Sequence, residues 1–137
     1  MALSQHEVLV PADVVRGICP GIAFAKEKNW AGLDAWIRAA PEKEIVQIGL
    51  DEGGGIRRNT LLMSLGTFAG PVDIECPAYT RATAAVVNLF AKKGLLDLKG
   101  GNKDEPALCA AAVCGNFAMC KLLLDSGAST PLPVIIS

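Results

Sequence analysis

The chain has 137 residues, a formal net charge of -1, 51% hydrophobic and 20% charged residues, the proportions of a single apolar globular domain rather than a disordered segment. A balance this close to neutral, with no Lys/Arg cluster, argues against bulk attraction to nucleic acid or to an acidic membrane surface. No apolar run reaches the length of a membrane span, and MALSQHEVLV lacks a charged region followed by an apolar stretch, so a cytoplasmic location is expected. With only 5% aromatic residues the core must be aliphatic and alanine-rich, as closely packed helices require. Five cysteines, at 19, 76, 109, 114 and 120, are an odd number and read as free thiols of a reducing compartment.

Residues 1–18 carry a short apolar pattern and read as a leading cap. They hold the chain's one histidine, His6, in a polar terminus where a solvated side chain is expected rather than a ligand or a base. Residues 19–40 hold a weak two-helix pattern. Ala23 and Ala25 stand where small residues belong, Lys28-Asn29 occupy a turn, and Trp30, Leu33, Trp36 and Ile37 share one helical face. The tryptophans suit a stripe that holds a helix to its neighbour better than a ligand-stacking pair. Pro41 ends this pattern. IVQIGL and the glycines after it invite comparison with a phosphate-cradling loop, but glycines at 49, 53, 54 and 55 fit neither G-x-G-x-x-G nor the P-loop spacing. Asp51 to Gly55 read instead as a turn within a protruding loop.

Thr60 is a good N-cap for the helix TLLMSLGTFAG. Its partner helix is expected over Ala84 to Lys93, closed by Gly94, with about 70–83 inserted between them as a loop because of Pro71 and Pro77. The competing register places a repeat at Asp73 and demands a helix with Pro77 inside it. A second protruding loop follows at 95–105. The most regular stretch is Pro106 to Ala128. Leu108, Ala111 and Ala112 share one side of a first helix, Gly115-Asn116 break it, and Phe117, Cys120, Leu123 and Leu124 recur at helical spacing before Gly127 as a C-terminal cap.

This stretch resembles an ankyrin repeat, whose signature T-P-L-H-x-A-A, turn, and L-L-L run ending in Gly-Ala is matched by Pro106 to Ala112, Gly115-Asn116, Leu122 to Leu124 and Gly127-Ala128. Gly94 and Gly127 lie 33 residues apart, the length of one ankyrin unit. The resemblance implies an all-α fold, an ankyrin-repeat solenoid of about three helix-turn-helix repeats with finger loops. It divides one domain into a cap at 1–18, repeat 1 and its finger at 19–59, repeat 2 with its insertion and finger at 60–105, and repeat 3 and a tail at 106–137. It implies a protein–protein interaction module that binds another protein through the concave face and fingers. The positions selected are Ile56, Arg57 and Asn59 on one finger, Asn102, Lys103 and Glu105 on the next, and Thr67, Phe68, Val113 and Cys114 on the first helices. Phe68 is either an exposed anchor or packs under the insertion. Met63 and Cys109 replace the family's histidine, and Pro106-Ala107 replaces Thr-Pro, which loosens the expected ties between fingers.

No chemistry competes strongly with this. Metal ligation needs paired Cys/His spacing, and Cys109, Cys114 and Cys120 have no histidine near them. A cysteine nucleophile needs a base within reach. The carboxylate pairs Asp51/Glu52, Asp73/Glu75 and Asp104/Glu105 read as solvated loop residues. No enzyme and no cofactor are expected. Two alternatives remain: a self-associating protein, or a piece of a longer array, that uses an apolar C-terminal end face, including as a homodimer; and a small helical enzyme with a reactive cysteine.

Overall fold

The computed structural model describes residues 19–47, 60–99 and 105–129. Among them all regular structure is helical: α1 (Pro20–Lys26), α2 (Trp30–Ala39), the single turn α3 (Glu42–Ile45), α4 (Leu61–Phe68), α5 (Pro77–Lys92), α6 (Ala107–Val113) and α7 (Phe117–Asp125). No helix among the described residues is long and apolar enough to cross a membrane. The 1–18 cap, the glycine loop at 51–55, the tip of the second finger and the tail from 130 lie outside the described residues.

The ends of the helices follow from local chemistry. Thr60 caps α4 as expected, its hydroxyl accepting from Met63 N at 3.3 Å. Asn29 and Asn116, 87 residues apart, do the same for α2 and α7, accepting from Gly32 N at 3.0 Å and Met119 N at 3.2 Å. Their backbones are nearly superimposable, with φ, ψ of -87°, 74° and -86°, 75°. The residue before each Asn has positive φ, Lys28 at 57° and Gly115 at 76°, which lets the chain reverse after α1 and after α6. Gly94 and Gly127, at φ 72° and 105°, end α5 and α7 in the same way. There the next amide reaches back to a carbonyl five residues earlier, Leu95 N to Phe90 O at 2.8 Å and Ala128 N to Leu123 O at 2.9 Å.

The helices form two rows. In one, α4 packs between α1 and α6; in the other, α5 packs between α2 and α7, and each helix of the first row also contacts the helix that follows it, α1 with α2, α4 with α5, α6 with α7. The core lies between the rows, around Leu33, Leu61, Leu65, Val86, Phe90, Met119 and Leu123. Small residues set the spacing. A Cβ on Gly66 would stand 3.2 Å from both Ala111 Cβ and Met119 Sδ, and one on Gly21 would stand 2.8 Å from the Trp36 ring. The central helix α4 is buried on every side from Leu61 to Gly66, so its leucines need no polar face.

Two expectations are corrected. The second helix of the middle pair begins at Pro77, not at Ala84, and runs for 16 residues. Proline is accommodated there because the first helical position has no amide bond to lose. The 70–83 stretch is therefore part connection, residues 69–76 with a 3-10 turn at Asp73–Glu75, and part helix. The face of α7 is also rotated from the expected one: Met119 and Leu123 are buried, whereas Phe117 is 73% and Leu124 39% exposed.

Salt links tie the second row together. The buried carboxylate of Asp34 on α2 accepts from Arg38 Nη2 at 2.9 Å and from Arg81 Nε of α5 at 3.1 Å. After Pro41 the chain turns through α3, where Ile45 is buried and Glu42 meets Lys92 at 3.5 Å and Lys93 at 4.0 Å.

Candidate functional site

Three connections join the first row to the second: the α1–α2 turn at 27–29, the 69–76 segment, and the α6–α7 turn at 114–116. They lie side by side. Lys28 Nζ of the first reaches Asp73 Oδ2 of the second at 3.5 Å. Asn116 Nδ2 of the third donates to the hydroxyl of Tyr79, in the first turns of α5, at 2.7 Å. One edge of the molecule is thus built from three connections, and it carries exposed apolar groups.

The 69–76 segment is held firmly along this edge. Asp73 accepts from Trp30 Nε1 at 2.9 Å and from Gly70 N at 2.7 Å. Burial alone would raise its pKa, but the Trp30 and Gly70 donors and the Lys28 ammonium outweigh that and hold the carboxyl below its usual range. Beneath it the Trp30 and Tyr79 rings meet edge to face with centroids 4.8 Å apart. The Tyr79 hydroxyl donates to Leu65 O at 2.8 Å, satisfying one of the carbonyls that the end of α4 leaves without a helical partner. Burial, foremost, pushes the Tyr79 pKa up, so the phenol stays protonated and keeps both bonds.

Of the residues selected from the sequence, Thr67, at the end of α4, is exposed, and so are Val113 and Cys114, at the end of α6. The structure brings these three to the same edge, since α4 and α6 are neighbours that run to it in the same sense. Phe68 takes the packed alternative, half-buried against the core. Glu105 is half-buried just before α6. Ile56, Arg57, Asn59, Asn102 and Lys103 lie outside the described residues.

Val72 and Phe117 were not selected and are the most exposed large apolar side chains among the described residues, at 81% and 73%. Val72 had a weak signal: an apolar residue directly after Pro71, in a stretch that its prolines mark as a connection. Phe117 had a misleading one, because its spacing to Cys120 and Leu124 reads as a buried stripe.

The cysteines are free thiols. Burial pushes Cys19 up to about 11. It also raises Cys109, with further contributions from the charges of Glu105 and Cys120, and raises Cys120 itself. These three are thiols rather than thiolates at neutral pH, the opposite of what a nucleophile needs. Cys114 is exposed. Among the described residues no three His, Cys, Asp or Glu side chains gather as a metal-ion site.

Compared with protein-family models, with curated proteins and with solved structures, the chain matches none.

Proposed function

We propose that this chain is a protein–protein interaction module, a short ankyrin-type array of three helical pairs that works in the cytoplasm without a cofactor and without catalysis. Its partner is another protein, which docks on the edge lined by Thr67, Val72, Val113 and Cys114. The observation that carries the proposal is recurrence. The helical pairs stand in the same order in two rows, with Asn29 and Asn116 as equivalent caps and Gly94 and Gly127 as equivalent ends 33 residues apart. Stacked units of this kind bury their apolar faces on one another and leave extended surfaces for partners.

The departures from the family pattern have local compensation. With Met63 and Cys109 in place of histidine, the segments after α5 and α7 are tied by Asp97, whose carboxylate accepts from Ser129 N at 2.7 Å and Ser129 Oγ at 2.8 Å. The Asn116–Tyr79–Leu65 chain of hydrogen bonds links the second and third pairs.

The edge supports recognition because exposed apolar groups, Val72 and Val113, stand on it beside a connection whose backbone Asp73 holds in place, so little conformational entropy is lost on docking. The test is capture from lysate by the wild type and by a Thr67→Arg, Val72→Asp, Val113→Asp variant, once circular dichroism shows both folded. A specific protein captured by the wild type and lost by the variant is the expected result. Equal capture by both overturns the assignment of this edge.

A further inference from the structure

Cations along α2 and α5 are grouped in twos around single carboxylates. Asp34 Oδ2 accepts from Arg38 Nη2 at 2.9 Å and from Arg81 Nε at 3.1 Å. Glu42 meets Lys92 Nζ with one oxygen at 3.5 Å and Lys93 Nζ with the other at 4.0 Å. Each group carries one more positive charge than negative, and Lys43 and Glu44 of α3 beside them cancel each other. The positive excess is local, since the whole chain has a formal net charge of -1.

Depth matters as much as number. The Asp34 side chain is 12% exposed and those of Arg38 and Arg81 are 66% and 56% exposed. The negative charge is thus sunk beneath two guanidinium groups that it holds side by side. A guanidinium has five N–H donors, and each arginine gives Asp34 one nitrogen, so an incoming carboxylate can meet both without displacing Asp34. Between the two groups the surface is low. Arg81, Ala85, Asn88 and Lys92 are exposed at i, i+4, i+7 and i+11 of α5, and Ala31, Ala35 and Arg38 at i, i+4 and i+7 of α2, which packs on it. Arg81 and Lys92 stand about 16 Å apart along their helix, a distance that about five residues of extended chain cover. The exposed positions of α2 and α5 hold no aromatic side chain on which a nucleic-acid base could stack.

We propose that the seam between α2 and α5 is a second interaction surface, which takes an acidic segment of a partner protein. One carboxylate of the segment sits between Arg38 and Arg81, another sits at Lys92 and Lys93, and the backbone between them lies over the alanines. Charge complementarity selects the occupant. The surface shares no residue with the Thr67, Val72, Val113 edge and does not depend on reading the chain as an array, so either assignment can fail without the other.

The experiment is fluorescence anisotropy of a labelled peptide, Gly-Glu-Glu-Ala-Ala-Ala-Glu-Glu-Gly, titrated with the full chain at about 0.15 M salt. The chains compared are the wild type, Arg38→Gln, Lys92→Glu and Lys121→Glu, each checked for helicity by circular dichroism. Arg38 and Lys92 are exposed, and Arg81 still pairs Asp34 when Arg38 is replaced, so both variants keep their fold. The expected result is saturable binding by the wild type, weakened about fivefold or more by Arg38→Gln and by Lys92→Glu. Lys121→Glu, which changes a cation on α7, leaves it unchanged. No saturable binding overturns the proposal, and so does equal binding of a peptide with glutamine at the four glutamates. Weakening by Lys121→Glu as large as by Lys92→Glu overturns it too, as bulk charge attraction. Tighter binding of a labelled oligothymidine at the same salt overturns it in favour of nucleic acid.

Discussion

At the scale of single residues, the left-handed positions between paired helices divide into one that suits its residue and one that does not. Gly115 and Lys28 hold the same place before an N-cap asparagine, at φ 76° and 57°. Lysine is tolerated there at a backbone cost of about 1–2 kcal/mol, offset in part by the contact of its ammonium with Asp73 at 3.5 Å. Gly115 has nothing within 4 Å of where a Cβ would stand, so Gly115→Ala isolates the backbone term. It is expected to lower stability by about 1 kcal/mol, read as an earlier midpoint in urea at unchanged slope. An unchanged midpoint would show that the turn does not hold its left-handed geometry in solution.

At the scale of elements, the 69–76 connection is the part of the fold that owes most to one side chain. The Asp73 carboxylate gathers Trp30, Gly70 and Lys28, and its folded pKa is depressed. The stabilisation is therefore complete above the ordinary carboxylate range, about pH 4, and is lost as pH falls through the folded value. Asp73→Asn removes the charge and one acceptor oxygen, and is expected to cost about 1–2 kcal/mol at pH 7. The gap between wild type and variant should narrow as pH drops below about 4; a gap that stays constant with pH would show that the charge contributes nothing. Little of this connection was legible in the sequence. Pro71 and Pro77 read alike as breakers, yet Pro77 opens α5 because Cys76 is extended, with φ -73° and ψ 123°, the conformation that proline favours in the residue before it. The caps at Thr60 and Gly127 were legible because their chemistry is local and needs only their own neighbours; Asn116 was legible only as a break, and its capping of α7 was not. The phase of α7 was not legible either, because Phe117, Cys120 and Leu124 keep a helical period as regular as that of Met119 and Leu123, and only the placement of the neighbouring helices shows which set is buried. In the same way Thr67, Val113 and Cys114 were readable as helix-end positions, whereas the prominence of Val72 depends on how Asp73 folds the connection under Trp30.

At the scale of the whole molecule, each helical pair packs on the next around the core that lies between the two rows. Gly66 is the closest point between the second and third pairs, where even a methyl group would meet Ala111 and Met119 at 3.2 Å. Gly66→Val adds a branched side chain that the buried faces on either side cannot clear, an overpacking expected to cost about 1–3 kcal/mol. The cost should fall unevenly. Among the described residues the α6–α7 pair touches the rest through α4 and α5, whereas α2 is held by Asp34, Arg81 and Trp30 to parts of the molecule that Gly66 does not touch. The free thiols report on this directly: Cys109 and Cys120 sit in α6 and α7, and Cys19, fully buried, caps α1. In the Gly66→Val variant, alkylation of Cys109 and Cys120 should accelerate well beyond the wild-type rate while Cys19 stays protected and the already exposed Cys114 is unchanged. If Cys19 accelerates in step with the other two, the three pairs open together, and the molecule is one cooperative unit rather than a row of coupled pairs.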